Sequence, residues 1–178
     1  MTGYSQHGEF SVRRTQLSDC RLLPAIERSA SCVFASDPTL AWLTEQEPIN
    51  PEKHAALIGQ GLCFVAAYDD DRPCGFIATE VLGLDLHIWE LSVELSHQKR
   101  GIGRQLIAAL AHAAANLRLR QLTLTTFRDL VWNGPFYQSC GFAELLDLTF
   151  YPRLAALLES EAQSGLPIER RCAMVKSL

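Results

Sequence analysis

Long apolar runs, basic tracts and paired cysteines are all missing from this sequence. No stretch approaches the roughly 20 consecutive apolar residues that cross a bilayer. The opening segment, Met1–Phe10, has neither the Lys or Arg start nor the apolar core of a secretory signal. The expectation is a soluble, cytoplasmic protein with no membrane partner. Six cysteines, Cys20, Cys32, Cys63, Cys74, Cys140 and Cys172, are scattered without Cys-x-x-Cys spacing. A chain of 178 residues buries enough surface to do without staples. These cysteines therefore read as reduced thiols packed as small core residues, and no metal is expected. Basic residues number 16 against 20 acidic ones, for a net charge of −4. With no basic run and no aromatic–basic alternation, nucleic acid is not an expected partner, and a cationic substrate is weakly favoured. No internal repeat or linker marks a boundary, so residues 1–178 read as one domain, with 1–8 flexible.

What is there is a chain whose apolar period changes repeatedly. Glu9–Gln16 reads as a strand. Ser18 is placed to cap a helix from Asp19 to Ala30, and Pro38–Glu45 and Pro51–Gln60 are shorter helical candidates on either side of the Pro48–Pro51 break. Leu62–Tyr68 and Gly75–Leu82 flank the turn Asp69-Asp70-Asp71-Arg72-Pro73 and predict an antiparallel hairpin. Leu86–Val93, a helix from Gly103 to Leu117, and Gln121–Phe127 form a strand–helix–strand unit with a right-handed crossover. A short helix over Trp132–Ser139, a strand over Phe142–Leu148, a helix over Tyr151–Glu161 and a closing strand over Arg170–Lys176 complete the outline.

Chemistry concentrates between Trp89 and Phe142. Gln98-Lys99-Arg100-Gly101-Ile102-Gly103 lies between a strand and a helix start. There, unpaired backbone N–H groups and the positive end of the helix dipole bind anions, and glycine lets the backbone approach phosphate oxygens. The loop is neither a Gly-x-Gly-x-x-Gly dinucleotide fingerprint nor a P-loop with its lysine. Further on, Asn133-Gly134-Pro135-Phe136-Tyr137-Gln138-Ser139-Cys140-Gly141-Phe142 contains Phe-Tyr-x-x-x-Gly-Phe.

These two segments resemble the GCN5-related N-acetyltransferases (GNAT). Gln98, Gly101 and Gly103 match that family's Gln/Arg-x-x-Gly-x-Gly/Ala acetyl-CoA signature, and the Phe-Tyr-x-x-x-Gly-Phe core is complete. The likeness is carried best by residues 62–148. The resemblance implies a mixed α+β fold: a mostly antiparallel, twisted sheet, flanked by helices and splayed where acetyl-CoA binds. It also implies a site. Backbone N–H groups of Lys99, Arg100, Gly101, Ile102, Gly103 and Arg104 would hold the pyrophosphate. Leu91, Ser92 and Val93 would meet the pantetheine and the acetyl carbonyl. Asn133, Phe136 and Tyr137 would flank the cofactor, with Asn133 alternatively capping the following helix.

Acetyl transfer to an amine of pKa about 10.4 needs a proton acceptor. Glu90 is the first candidate, with a substrate anchor or a structural ion pair as its alternatives. His87 is the second, on the opposite strand face unless a bulge intervenes. Tyr137 is the candidate acid for the leaving thiolate. Trp42 and Arg128 are candidate acceptor contacts, although Arg128 and Asp129 could equally pair with one another. The expected reaction is direct transfer from acetyl-CoA to a primary amine, of a small molecule or of a peptide, in a homodimeric enzyme. A non-catalytic CoA-sensing module is the alternative.

Overall fold

The computed structural model describes residues 10–68 and 70–178. Expectations placed on residues 1–9 and on Asp69, including the start of the first strand at Glu9, lie outside the described residues. The elements in chain order are β1 (Phe10–Arg14), α1 (Leu23–Ser31), α2 (Pro51–Gln60), β2 (Phe64–Tyr68), β3 (Pro73–Leu82), β4 (Asp85–Val93), α3 (Ile102–Asn116), β5 (Gln121–Phe127), α4 (Gly134–Ser139), β6 (Ala143–Glu144), α5 (Pro152–Gln163) and β7 (Arg171–Ser177), with short 3-10 turns between some of them. The strands form one seven-stranded sheet in the order β1-β2-β3-β4-β5-β7-β6. Pairing is antiparallel for β1/β2, β2/β3, β5/β7 and β6/β7, and parallel for β4/β5. The mixed α+β architecture implied by the resemblance is the one observed.

The chain forms two compact units. The first comprises the described residues up to Glu80 together with Glu90–Leu110. Its core joins Leu23 and Ile26 of α1, Leu57 of α2, Cys63, Val65 of β2, and Phe76 and Ala78 of β3. The strands β2 and β3 are buried along nearly their whole length, which is why both read as continuous apolar runs and not as alternating ones. The second unit comprises Val81–Trp89 and Ala111–Leu178. Here Leu154 and Leu158 of α5 pack on Ala173 of β7, with Leu145, Leu148 and Tyr151 against them.

Three local expectations are corrected. The first helix does not begin at Asp19 but at Leu23, because Pro24 lacks an N–H and is accommodated only in a first turn. Asp19 is buried instead, accepting two hydrogen bonds from Arg13 at 2.8 and 3.0 Å and one from the Gln16 N–H at 2.8 Å. Pro38–Glu45 holds a 3-10 turn over Ala41–Glu45, since Asp37 Oδ1 accepts from the Thr39 N–H and hydroxyl and closes a turn of its own. The strand expected over Phe142–Leu148 shrinks to Ala143–Glu144. Asp147 makes the same kind of turn with Thr149 and diverts the chain. Four of the six cysteines are buried, but Cys32 is exposed and Cys140 only half-buried.

Candidate active site

In the first unit β4 ends at Val93, a 3-10 turn covers Leu95–His97, and α3 starts at Ile102. The connecting loop is held to the strand by Gln98, whose Nε2 donates to the Val93 carbonyl at 3.1 Å. Lys99 and Gly101 both adopt left-handed backbone, with φ of +61° and +83°. Alternation of left-handed and other conformations turns successive N–H groups to one side, the geometry of an anion-binding nest. The first intrahelical bond of this end runs from Gln105 N–H to Gly101 O at 3.0 Å. The N–H groups of Ile102, Gly103 and Arg104 therefore stand ahead of the helix's own ladder, at its positive end. A Cβ at Gly101 would meet nothing within 4 Å, so the glycine serves the positive φ and leaves open space above the nest. Such an arrangement can hold an anion.

Glu90 lies on β4 just before Leu91–Val93. Its Oε1 accepts from the Ser92 hydroxyl at 2.7 Å, and Ser92 is buried. That hydroxyl is therefore committed to Glu90, and only the Ser92 backbone is open to a cofactor role. A residue that sequence reasoning missed lies on α1 and feels the charge of Glu90. Glu27 is half-buried, and its Oε2 accepts from the Ile49 N–H at 3.1 Å. Burial first and the charge of Glu90 second push Glu27 up to about 8. Nothing in the helical pattern distinguishes it from a surface glutamate. The end of β4 is tied to α1 as well, since the Leu95 N–H donates to Ser29 Oγ at 3.1 Å. Trp42 stands in the 3-10 turn Ala41–Glu45 with its ring partly exposed.

The second unit holds the remaining candidates. The first part of β4 pairs with β5 over Asp85↔Gln121, Leu86↔Leu122 and His87↔Thr123. His87 is 1% exposed, its Nδ1 hydrogen-bonded to Thr123 Oγ1 at 3.0 Å and its ring edge-on to Trp89 at 4.5 Å. Burial, with a smaller contribution from Arg153, pushes it down to about 3. His87 is therefore a packed side chain, neutral at ordinary pH. Arg128 spends its guanidinium on the Arg171 carbonyl at 2.8 Å and on Glu144 at 3.3 Å. Asp129 pairs with Arg170 at 2.7 Å, so Arg128 and Asp129 do not pair with one another. Asn133 occupies the N-cap position of α4, yet its side chain makes no capping bond; its carbonyl accepts from the Tyr137 N–H at 2.9 Å. Tyr137 is buried between the rings of Phe136 and Phe142, edge-on to each at 5.2 and 5.5 Å.

Residues 59–144 match the family model described as an acetyltransferase (GNAT) domain. Among solved structures, the chain is similar to the PaiA N-acetyltransferase from Thermoplasma acidophilum in complex with coenzyme A, at TM-score 0.70 and 15% identity, covering 96% of this chain and 99% of that one. It is similar to the N-acetylglutamate synthase from Neisseria gonorrhoeae complexed with coenzyme A and N-acetyl-glutamate, at TM-score 0.69 and 16% identity, covering 97% of this chain and 36% of that one. It also resembles the ribosomal-protein-S18-alanine N-acetyltransferase from Escherichia coli, at TM-score 0.65 and 17% identity over 95% of this chain and 94% of that one. The structures establish a common fold. The family model spans the loop and both sequence motifs, so residues 59–144 are matched as a GNAT acetyltransferase domain.

Proposed function

We propose that the chain is a single catalytic domain that transfers the acetyl group of acetyl-CoA to a primary amine by direct attack in a ternary complex. The observation that carries this reading is the loop from Gln98 to Arg104. It is clasped to β4, left-handed at Lys99 and Gly101, and opens onto the start of α3 in the segment matched by the family model. Two of the solved structures similar to the chain hold coenzyme A, which supports acetyl-CoA as the donor.

In this reading the backbone N–H groups of Lys99, Arg100, Gly101, Ile102, Gly103 and Arg104 bind the pyrophosphate as a fixed array of dipoles. The thioester supplies an activated acyl carbon and a leaving sulfur. Backbone groups of Leu91, Ser92 and Val93 pair with the pantetheine amides, and the N–H of Leu91 or Val93 is the donor to the acetyl carbonyl oxygen, where charge grows during attack. Asn133 and Phe136 orient the pantetheine arm. Glu90 receives a proton from the amine, and the Tyr137 hydroxyl returns one to sulfur. Trp42 contributes to the acceptor pocket.

The test is release of free thiol from acetyl-CoA, with a panel of polyamines, arylalkylamines, amino acids, aminoglycosides and short peptides. Amine-dependent release that falls by about 10²-fold or more in Glu90→Gln and Tyr137→Phe, with acetyl-CoA binding retained by calorimetry, supports the reading and names the acceptor class. Cofactor binding without turnover by any acceptor would favour a CoA-sensing module, and absence of cofactor binding would refute both.

A further inference from the structure

We propose that Gly75 on β3 is a positioning residue for the cofactor. Its missing side chain leaves the space into which the end of β4 and the start of α3 settle, and that spacing sets the strand end and the anion-binding loop to receive one acetyl-CoA. The inference rests on the acetyltransferase reading above, to which it adds a residue that acts through its neighbours.

Glycine inside a strand weakens it, through backbone entropy and the side chain it fails to pack, and it often marks a place where another backbone approaches closely. Gly75 is buried within β3, and its backbone is not left-handed, unlike that of Gly101. Conformation therefore does not require glycine here, but space does. A Cβ at this position would meet the Ser92 carbonyl oxygen at 3.1 Å, Val93 Cγ2 at 3.1 Å and Ile102 Cγ2 at 3.2 Å. All three are tighter than ordinary van der Waals contact, which begins at 3.4 Å, so the neighbours would have to give way by a few tenths of an ångström. Those atoms belong to the two segments that the cofactor bridges in this reading, since Val93 ends β4 and Ile102 opens α3. Gln98 ties the loop to the Val93 carbonyl at 3.1 Å, so a shift of Val93 carries the loop with it.

The start of β3 is fixed against the same strand end. The register of β2 and β3 slips between Ala66, opposite Gly75, and Ala67, opposite Pro73, which makes Cys74 the extra residue of a bulge. The Cys74 carbonyl accepts from the Glu94 N–H at 2.9 Å, and its thiol donates to the Ala66 carbonyl at 3.5 Å. The bulged residue is thus held to the strand on each side of it, and a Cβ at Gly75 has no slack to take up on β3. The displacement falls instead on Ser92, Val93 and Ile102. A ligand that occupies two half-sites through one chain gains from the second only when their spacing matches its own, and a misplacement of about 1 Å near reacting groups can cost about 10²-fold. A few tenths of an ångström shared between the strand end and the loop should therefore cost about 10-fold.

The experiment compares wild type, Gly75→Ala, Gly61→Ala and the double variant Gly75→Ala/Val93→Ala at a temperature where all are folded. Calorimetry gives the affinity for coenzyme A, thiol release gives KM for acetyl-CoA and for the amine, and nitrogen-15 NMR gives the backbone amide resonances without ligand. Gly75→Ala should weaken coenzyme A binding and raise KM for acetyl-CoA by about 10-fold, while changing KM for the amine by less than about 2-fold. Its amide resonances should move at residues 92–94 and 101–104 in the ligand-free protein. Gly61→Ala, whose Cβ would sit 2.0 Å from the Thr79 carbonyl oxygen, should lose stability yet bind coenzyme A as wild type does. Val93→Ala removes Cγ2 and keeps the backbone groups assigned to the cofactor, so the double variant should bind more tightly than Gly75→Ala. Coenzyme A affinity in Gly75→Ala within about 2-fold of wild type, or unmoved amides at the loop, would overturn the proposal and leave the acetyltransferase reading intact. An equal loss of affinity in Gly61→Ala would overturn it too, as a general effect of packing. A double variant no tighter than Gly75→Ala would overturn the steric route through Val93. A wild type that does not bind coenzyme A would overturn the acetyltransferase reading and the proposal with it.

Discussion

Removing the carboxylate of Glu161 should be among the most damaging single changes to the second unit. Glu161 on α5 accepts from Arg171 Nε at 2.9 Å and Nη2 at 3.0 Å, and from the Thr125 hydroxyl at 2.6 Å. The Arg171 side chain is only 10% exposed and its guanidinium lies 4.6 Å from the Phe127 ring centroid, so water cannot replace the lost partner. Breaking a buried pair from one side costs about 3–5 kcal/mol, whereas replacing both partners by apolar groups of similar volume is close to neutral. Glu161→Met is therefore expected to destabilise by about 3–5 kcal/mol, with part of that from the orphaned Thr125 hydroxyl. The drop in Tm should be on the order of 10 °C for a chain of this size. Adding Arg171→Met should recover most of the loss. Urea unfolding followed by circular dichroism at pH 7 measures both variants. A single substitution costing less than about 1 kcal/mol, or a double variant no better than the single, would refute the claim that α5 and β7 are joined by a desolvated ion pair.

A Cβ at Gly61 would sit 2.0 Å from the Thr79 carbonyl oxygen, whereas one at Gly59, near the end of α2, would meet nothing within 4 Å. Gly61→Ala should thus cost about 1–3 kcal/mol and Gly59→Ala should gain about 0.5–1 kcal/mol in the same unfolding assay. Burial holds His54 down to about 4, and burial with Arg153 holds His87 down to about 3. The unfolded chain therefore binds protons first as pH falls, and the stability present above about pH 6.5 is lost progressively toward pH 3–4, by several kcal/mol in all. Glu27 acts with the opposite sign, because its raised value costs stability as pH climbs from the ordinary carboxylate range toward 8. Glu27→Gln should make the protein more stable at pH 8 than wild type, measured by Tm. Asn133 makes no side-chain cap, so Asn133→Ala should leave Tm within a degree or so of wild type, unlike the loss of a true cap at about 1 kcal/mol, while weakening acetyl-CoA binding by calorimetry.

Much of the fold was legible because its determinants are local. The hairpin of β2 and β3, the parallel unit through α3, and the anion-binding loop follow from apolar runs, a turn rich in aspartate, and glycines at positions where the backbone must turn left-handed. Those are properties of neighbouring residues, and they survive in the sequence whatever the rest of the chain does. The start of α1 is local in origin too: Pro24 marks it, and Asp19, which has the look of a first-turn aspartate, is taken by Arg13. Only the tertiary structure decided which polar side chains would face one another. His87 and Glu90 look alike as candidates on one strand, but one is sealed beside Thr123 and Trp89 and the other bonds Ser92 and raises the proton affinity of Glu27, 62 intervening residues away in sequence. A proton affinity is set by burial and by charges brought close in space, and neither is written in the spacing of a single helix or strand.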